Sequence, residues 1–184
     1  MERLSDNYYI EKVLSGETES FAPLLERYSK QVFTLIVKIV GKREDAEELT
    51  QDVFVKAYGS LAKFRADSSF STWIYRIAYN TAISATRKKG FDSMSIDKTT
   101  LNDVPDEPDE TISGDSDDVR IDCLNWALGQ LPSEERAMIM LFYRENKSME
   151  EIAVIAKLTE TNVKTKIFRI RKKLLVLIKS MEEK

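Results

Sequence analysis

The chain contains no histidine and a single cysteine, Cys123. Without histidine there can be no His-ligated zinc site, Ser-His-Asp triad or Cys-His dyad, and one cysteine cannot close an internal disulfide. No apolar run approaches the roughly 18 residues needed to span a bilayer, and the opening Met1-Glu2-Arg3-Leu4-Ser5-Asp6 lacks a signal-peptide core, so a cytoplasmic location is expected. No constellation of catalytic groups, cofactor site or metal site can be assembled, and no small-molecule substrate is expected. What is present is an ordinary globular balance over 184 residues, 42% hydrophobic and 32% charged. That is enough apolar material for a core and enough chain for one large or two small domains. Cys123 lies in the apolar stretch 121–128, where a buried, inert thiol is the default and a redox sensor the sharper alternative.

The net charge of -3 hides an uneven distribution. Residues 1–89 carry 14 Lys and Arg against 12 Asp and Glu, residues 90–118 carry 1 against 10, and residues 119–184 carry 13 against 9. The middle strip, with Pro105, Pro108 and the run Asp103-Val-Pro-Asp-Glu-Pro-Asp-Glu110, repels itself and is poor in large apolar residues. It reads as a flexible acidic linker between two domains.

The first block has helical periodicity. From Glu17 to Val40, Phe21, Leu24, Leu25, Tyr28, Val32, Leu35, Ile36 and Ile39 recur at spacings of three and four, and Gly41 ends or bends the helix. A second helix, about Arg43 to Leu61, carries Ala46, Leu49, Val53 and Ala57 as a narrow apolar stripe beside Asp45, Glu48 and Asp52. Those carboxylates share a face. A helical di-metal site would need Glu-x-x-His pairs, which leaves a solvated face or a surface that docks on a basic partner. The polar stretch Lys63-Phe-Arg-Ala-Asp-Ser-Ser-Phe-Ser71 precedes a third helix, Thr72 to about Lys89, with Ser71 as the expected N-cap. Ile74, Ile77, Ala78, Thr81 and Ala85 turn one way. Tyr75, Arg76, Tyr79, Asn80 and Arg87 turn the other, with Trp73 at the border. Aromatics interleaved with Arg and Asn on an outer face suit stacking on unpaired bases, although aromatics at helical spacing also commonly pack in cores.

In the last block, Leu131-Pro132 leads to Ser133, expected to cap a helix running to about Arg144. Ser148-Met-Glu-Glu151 has the form of a capping box and opens a short helix. Lys157-Leu158 turns the chain, and Thr159 can cap a longer helix. Short helix, tight turn and long helix make a helix-turn-helix. In the long helix Val163, Ile167, Ile170, Leu174 and Leu177 face inward, leaving Thr161, Thr165, Phe168, Arg169 and Lys172 outward, flanked by Lys164, Lys166, Arg171 and Lys173. Seven basic and no acidic residues lie from Lys164 to Lys179. Such a face binds a polyanion by releasing its counterions; a merely solvated basic face is the plainer alternative. Laid in a major groove, it would turn Arg169 toward guanine and Phe168 toward thymine methyls.

Asp45-Ala-Glu-Glu-Leu-Thr-Gln-Asp-Val-Phe54, Phe70-Ser-Thr-Trp-Ile-Tyr-Arg-Ile-Ala-Tyr-Asn80 and Asn162-Val-Lys-Thr-Lys-Ile-Phe-Arg-Ile-Arg-Lys-Lys-Leu174, in that order across an acidic linker, resemble the extracytoplasmic-function (group IV) sigma factors of bacteria over nearly the whole chain. The resemblance implies an all-α protein of two small helical domains: sigma region 2 over residues 1–89, a linker over 90–118, and a region 4 helix-turn-helix over 119–184. It implies a specificity subunit of RNA polymerase, without catalysis of its own. Asp45, Glu48, Leu49, Gln51, Asp52 and Phe54 would meet the polymerase, whose β′ clamp helices and β flap are the expected partner surfaces. Phe64, Arg65, Ser68, Ser69, Trp73, Tyr75, Arg76, Tyr79 and Asn80 would meet the melted -10 strand. Thr161, Asn162, Lys164, Thr165, Lys166, Phe168, Arg169 and Lys172 would meet the -35 duplex. The linker would thread the polymerase toward its active-site cleft, and an anti-sigma factor, commonly membrane-anchored in the family, is an expected partner. Two departures stand out: Lys157 where the family often has glycine, and Thr161-Asn162 where many relatives have Gly-Thr. A stand-alone helix-turn-helix regulator and a helical interaction protein without DNA are the rival expectations. The first gives the aromatic face of residues 72–89 no use, and the second predicts a main interaction that high salt leaves little changed.

Overall fold

A computed structural model describes residues 4–88 and 115–182, and among these there are helices and turns but no strand. The expected all-α class is what the chain adopts. Its first helix, α1 (Asp6–Leu14), has no counterpart among the sequence expectations. Ser5 caps it by accepting the Tyr8 N–H at 3.3 Å, and Asp6 in its first turn accepts the Tyr28 hydroxyl at 2.6 Å and pairs with Arg27. The local signal was a serine followed by an acidic first turn, too short in apolar period to register.

The helix expected from Glu17 begins instead as a 3-10 turn (Thr18–Phe21) leading into α2 (Ala22–Val40). Pro23, which has no N–H to give, sits where the first turn leaves N–H groups unpaired. Gly41, at φ 80, closes α2 in the left-handed conformation that glycine adopts without a Cβ clash. In α2 the run Thr34-Leu-Ile-Val-Lys-Ile-Val40 is buried on every side, because α3 (Arg43–Ser60) and α4 (Phe70–Lys88) cover one flank and α6 (Ser133–Tyr143) another. Five of its seven residues are apolar, and Thr34 and Lys38 are enclosed with them.

The start of α4 lies two residues earlier than expected. Ser69 rather than Ser71 caps it, its Oγ accepting the Thr72 N–H at 3.1 Å, so that Phe70 is anchored in the core as the first helical residue. Likewise α6 starts at Ser133 itself, with Pro132 in the cap position, and the buried Ser133 makes no side-chain cap bond. Between them α5 (Asp115–Gly129) begins inside the stretch read as linker; the rest of that stretch lies outside the described residues.

The capping box is present: Glu151 N–H donates to Ser148 Oγ at 3.1 Å and Ser148 N–H to Glu151 Oε2 at 2.9 Å, opening α7 (Met149–Ala156). Lys157 takes up φ 56, ψ 47, a left-handed turn that glycine adopts without a Cβ clash. Lys157→Gly is therefore expected to raise the unfolding free energy by about 0.5–1 kcal/mol, read from the urea midpoint. Thr159 then caps α8 (Glu160–Glu182), accepting the Asn162 N–H at 3.2 Å.

The two blocks share one continuous core. Leu24, Leu35, Ile36, Leu61, Phe70 and Ile74 fill the first block, Leu141, Ile152, Ile155 and Ile170 the second, and α4 packs directly on α7 as α2 does on α6. Ile74 is fully enclosed. Ile74→Ala should cost about 2–5 kcal/mol of stability, measured by denaturant unfolding, because transfer and cavity terms add there.

Candidate nucleic-acid interface

Three surfaces carry the residues that the sequence singled out. On α3, Glu48, Gln51 and Asp52 are exposed, Asp45 and Leu49 half-buried, and Phe54 enclosed in the core. The acidic stripe thus stands outward on a helix whose opposite edge, Ala46, Val53 and Ala57, is fully buried.

The second surface surrounds the start of α4. Phe64 and Trp73 are half-buried, their ring centroids 5.3 Å apart, and both pack on the enclosed Phe70 at 5.9 and 5.6 Å. Between them Arg65 and Ser69 are exposed and Ser68 half-buried, on a loop where Ala66 adopts φ 57. Backbone strain of this kind in a non-glycine residue persists where the surroundings fix the loop. Arg76 is exposed, and Asn80 donates from Nδ2 to the Arg76 carbonyl at 2.7 Å.

Tyr75 and Tyr79 correct the sequence expectation. They lie outward with respect to the first block, but are only 3% and 7% exposed, because the second block sits on them. The Tyr75 hydroxyl donates to Glu145, and burial first, then the Glu145 charge, pushes its pKa far up. Tyr79 is pushed up to about 12, chiefly by burial and further by the charge of Glu134. Helical periodicity could separate the two sides of α4 but could not show that both were covered.

The third surface is the outer face of α8. Val163, Ile167 and Ile170 are buried and Leu174 half-buried, while Thr161, Asn162, Lys164, Thr165, Lys166, Phe168, Arg169 and Lys172 are all exposed. Phe168 is 57% exposed, with Lys172 Nζ 4.7 Å from its ring centroid. An exposed phenylalanine held under a cation, amid basic side chains, presents both an apolar contact for thymine and donors for phosphate or guanine.

Family comparisons agree with this division. Residues 24–91 match the model of sigma-70 region 2, and residues 121–174 that of sigma-70, region 4. The extracytoplasmic-function RNA polymerase sigma-E factor of Haemophilus influenzae is 33% identical over 181 residues, covering 92% of this chain and 93% of that protein. The chain belongs to the extracytoplasmic-function sigma factors. Among solved structures, CnrH in complex with the cytosolic domain of CnrY aligns with a TM-score of 0.69 at 23% identity, over 95% of this chain and 97% of that one. The sigma factor RpoE in complex with the anti-sigma factor NepR from Bartonella quintana aligns at 0.66 and 23% identity, over 88% and 98%. The match to both blocks in one relative favours a sigma factor over a stand-alone regulator, which would account for the last block alone. Among the described residues of this sigma factor no helix is long and apolar enough to cross a membrane, and no metal-binding cluster occurs.

Sequence reasoning missed the residues that join the blocks. Arg136, 5% exposed in the first turn of α6, donates to the carbonyls of Leu128, Gly129 and Leu131 and, across the boundary, to that of Lys38 at 3.0 Å. Burial lowers its pKa to about 10, so it stays charged at neutral pH. Glu151 accepts the Thr72 hydroxyl at 2.7 Å and Lys147 Nζ at 3.1 Å. Burial by itself would raise the Glu151 pKa, but the donors from Ser148, Thr72 and Lys147 together hold it below the ordinary carboxylate range. A carboxylate lowered on folding contributes stability above its unfolded pKa and loses that contribution as pH falls through the folded value. Glu151→Gln should therefore lower the thermal midpoint at neutral pH, with the gap to the parent closing on acidification. A gap independent of pH would show that the ionised carboxylate contributes nothing.

Proposed function

We propose that this sigma factor docks on core RNA polymerase through Asp45, Glu48, Leu49, Gln51 and Asp52 of α3, with Phe54 shaping that face from beneath. It directs initiation at promoters with two elements. Phe64, Arg65, Ser68, Ser69, Trp73, Arg76 and Asn80 receive the melted -10 strand, joined by Tyr75 and Tyr79 only where the second block has moved off them, and the outer face of α8 reads the -35 duplex. The functional units are residues 1–89 and 119–184, with 90–118 joining them. The observation that carries this most directly is the exposed face of α8, whose charged residues from Lys164 to Lys179 are all basic and which presents Phe168 among them, on the second helix of a helix-turn-helix. The catalysis belongs to the polymerase. An inhibitory protein partner is part of the proposal, since the similar RpoE chain is one bound to an anti-sigma factor.

Promoter-directed transcription tests this. Bacterial core polymerase, a genomic fragment library and the protein are combined, and transcript starts are sequenced. Starts should cluster behind a shared two-part motif, with Arg169→Ala altering the upstream half and Asn80→Ala the downstream half. Starts indifferent to the protein would overturn the proposal.

A further inference from the structure

The first helix carries none of the residues assigned to polymerase or promoter, yet it reaches both ends of the loop 64–69. At one end α1 packs on the 3-10 turn Leu61–Lys63, and the Leu61 carbonyl accepts the Phe64 N–H at 3.0 Å, which sets where Phe64 leaves the core. At the other end it acts through α2. Asp6 accepts the Tyr28 hydroxyl at 2.6 Å, and the Tyr28 ring centroid lies 5.5 Å from that of Phe70, the first residue of α4. Phe70 is the hub of this cluster. Phe64 and Trp73 meet it at 5.9 and 5.6 Å, and each other at 5.3 Å. Asp6 is itself held in place: Arg27 pairs with it, donates to the Leu4 carbonyl at 3.0 Å and lies over the Tyr9 ring, 5.7 Å from its centre. Ile10, 5% exposed, seats the same helix in the core.

We propose that α1 braces the strand-receiving loop and that Asp6 is its positioning residue: by fixing Tyr28 against Phe70, Asp6 holds Phe64 and Trp73 in the arrangement that meets an unpaired base. Contacts between rings are individually weak and tolerate several tilts, so a cluster of four rings keeps one arrangement only where a stronger, directional bond fixes one of them. The bond from Tyr28 to the Asp6 carboxylate is of that kind, short and charge-assisted. Phe64 and Trp73 are only half-buried, so packing alone leaves each of them room to turn. Side chains already in place lose little freedom when a strand arrives, whereas loose ones must be ordered at that moment and affinity falls accordingly. The brace rests on the proposed role of Phe64 and Trp73 for its consequence; the brace itself is a property of the free chain.

The test uses the full chain with Trp126→Phe, which leaves Trp73 as its one tryptophan. Tyr28→Phe keeps the ring and deletes its bond to Asp6. That substitution and, separately, Asp6→Ala should lower the fluorescence anisotropy of Trp73 and shift its emission to longer wavelength, while the circular dichroism stays helical. In the polymerase holoenzyme both should weaken binding of a fluorescent single strand carrying the downstream half of the promoter motif by about three- to tenfold, the order expected when one or two side chains must be ordered on binding. Affinity for the upstream duplex should not change. Val40→Ala is the control: it opens a cavity about three turns along α2 from Tyr28, and should lower stability while moving neither readout. A Trp73 signal that neither variant moves, or equal losses in Val40→Ala, would overturn the brace. So would strand affinity that neither variant changes in a holoenzyme that binds the strand. If Trp73 responds but the parent holoenzyme binds no such strand, the brace stands and the assignment of Phe64 and Trp73 to promoter DNA falls.

Discussion

Arg136→Ala is expected to lower the unfolding free energy by about 3–5 kcal/mol, a large part of the roughly 5–15 kcal/mol that holds a domain together. The guanidinium reaches four carbonyls: Leu128 from Nε at 2.9 Å, Gly129 and Leu131 from Nη2 at 3.2 and 2.7 Å, and Lys38 from Nη1 at 3.0 Å. Three of these carbonyls lie at the end of α5 and the turn that follows it, where a helix leaves its last acceptors unpaired. Truncation leaves them without that donor and opens a void where the side chain was. Each stranded group costs about 1–3 kcal/mol, discounted because water can enter the void. Arg136→Lys should recover part of the loss, since an ammonium has three donors but not the planar fork that spans four acceptors. Because one acceptor belongs to α2, the alanine variant should also unfold less cooperatively, its two blocks separating in denaturant before either melts. Urea unfolding followed by circular dichroism decides the matter. A midpoint unchanged within experimental scatter would mean that the four contacts carry no net stability.

The second large effect concerns duplex DNA. Lys164, Lys166 and Lys172 are exposed along α8, and Lys164 pairs with a neighbouring exposed Glu160 at 2.7 Å, a pair of little worth in water. If each lysine neutralises one phosphate, replacing all three by glutamine should reduce the slope of log affinity against log salt by about 2.7. Affinity at low salt should fall by two to three orders of magnitude, while the rank order of DNA sequences stays the same. Arg169→Ala should do the opposite. The discrimination among upstream sequences should drop by about 1–3 kcal/mol, and the salt slope should change by no more than about one. Salt titrations of fluorescent upstream duplexes with the polymerase holoenzyme separate the two. If Arg169→Ala weakens all sequences equally, Arg169 is a phosphate contact and sequence is read elsewhere on α8.

Much of this protein was legible in its residues, and for identifiable reasons. The stripe Val163, Ile167, Ile170 fixes the face of α8 because a helix advances 100° per residue and only one side can be buried. The capping box at Ser148 and Glu151 is a local bond between neighbours in sequence, so it needed nothing distant to form. The exposed basic face followed from these. The start of α4 was misplaced because two serines, Ser69 and Ser71, offer equal caps locally. The burial of Phe70 in the core chose between them.

What the sequence alone determined was the helical class, most of the periodic faces, the capping box at Ser148 and Glu151 and the distribution of charge, all of which depend on residues within a few turns of one another. The spacing in α2 showed one buried face, whereas Thr34–Val40 is buried on every side. Tertiary structure decided what that run meets. Placing α6 on α2 and α7 on α4 turned Tyr75 and Tyr79 from an outer face into a buried one, and gave Arg136, Lys147 and Glu151 their partners. Those partners are 70 or more residues away in the chain for Tyr75 with Glu145, Ser71 with Lys147 and Thr72 with Glu151. No local periodicity encodes a contact at that separation; it forms only when two faces, each complete by itself, bury more surface together than apart.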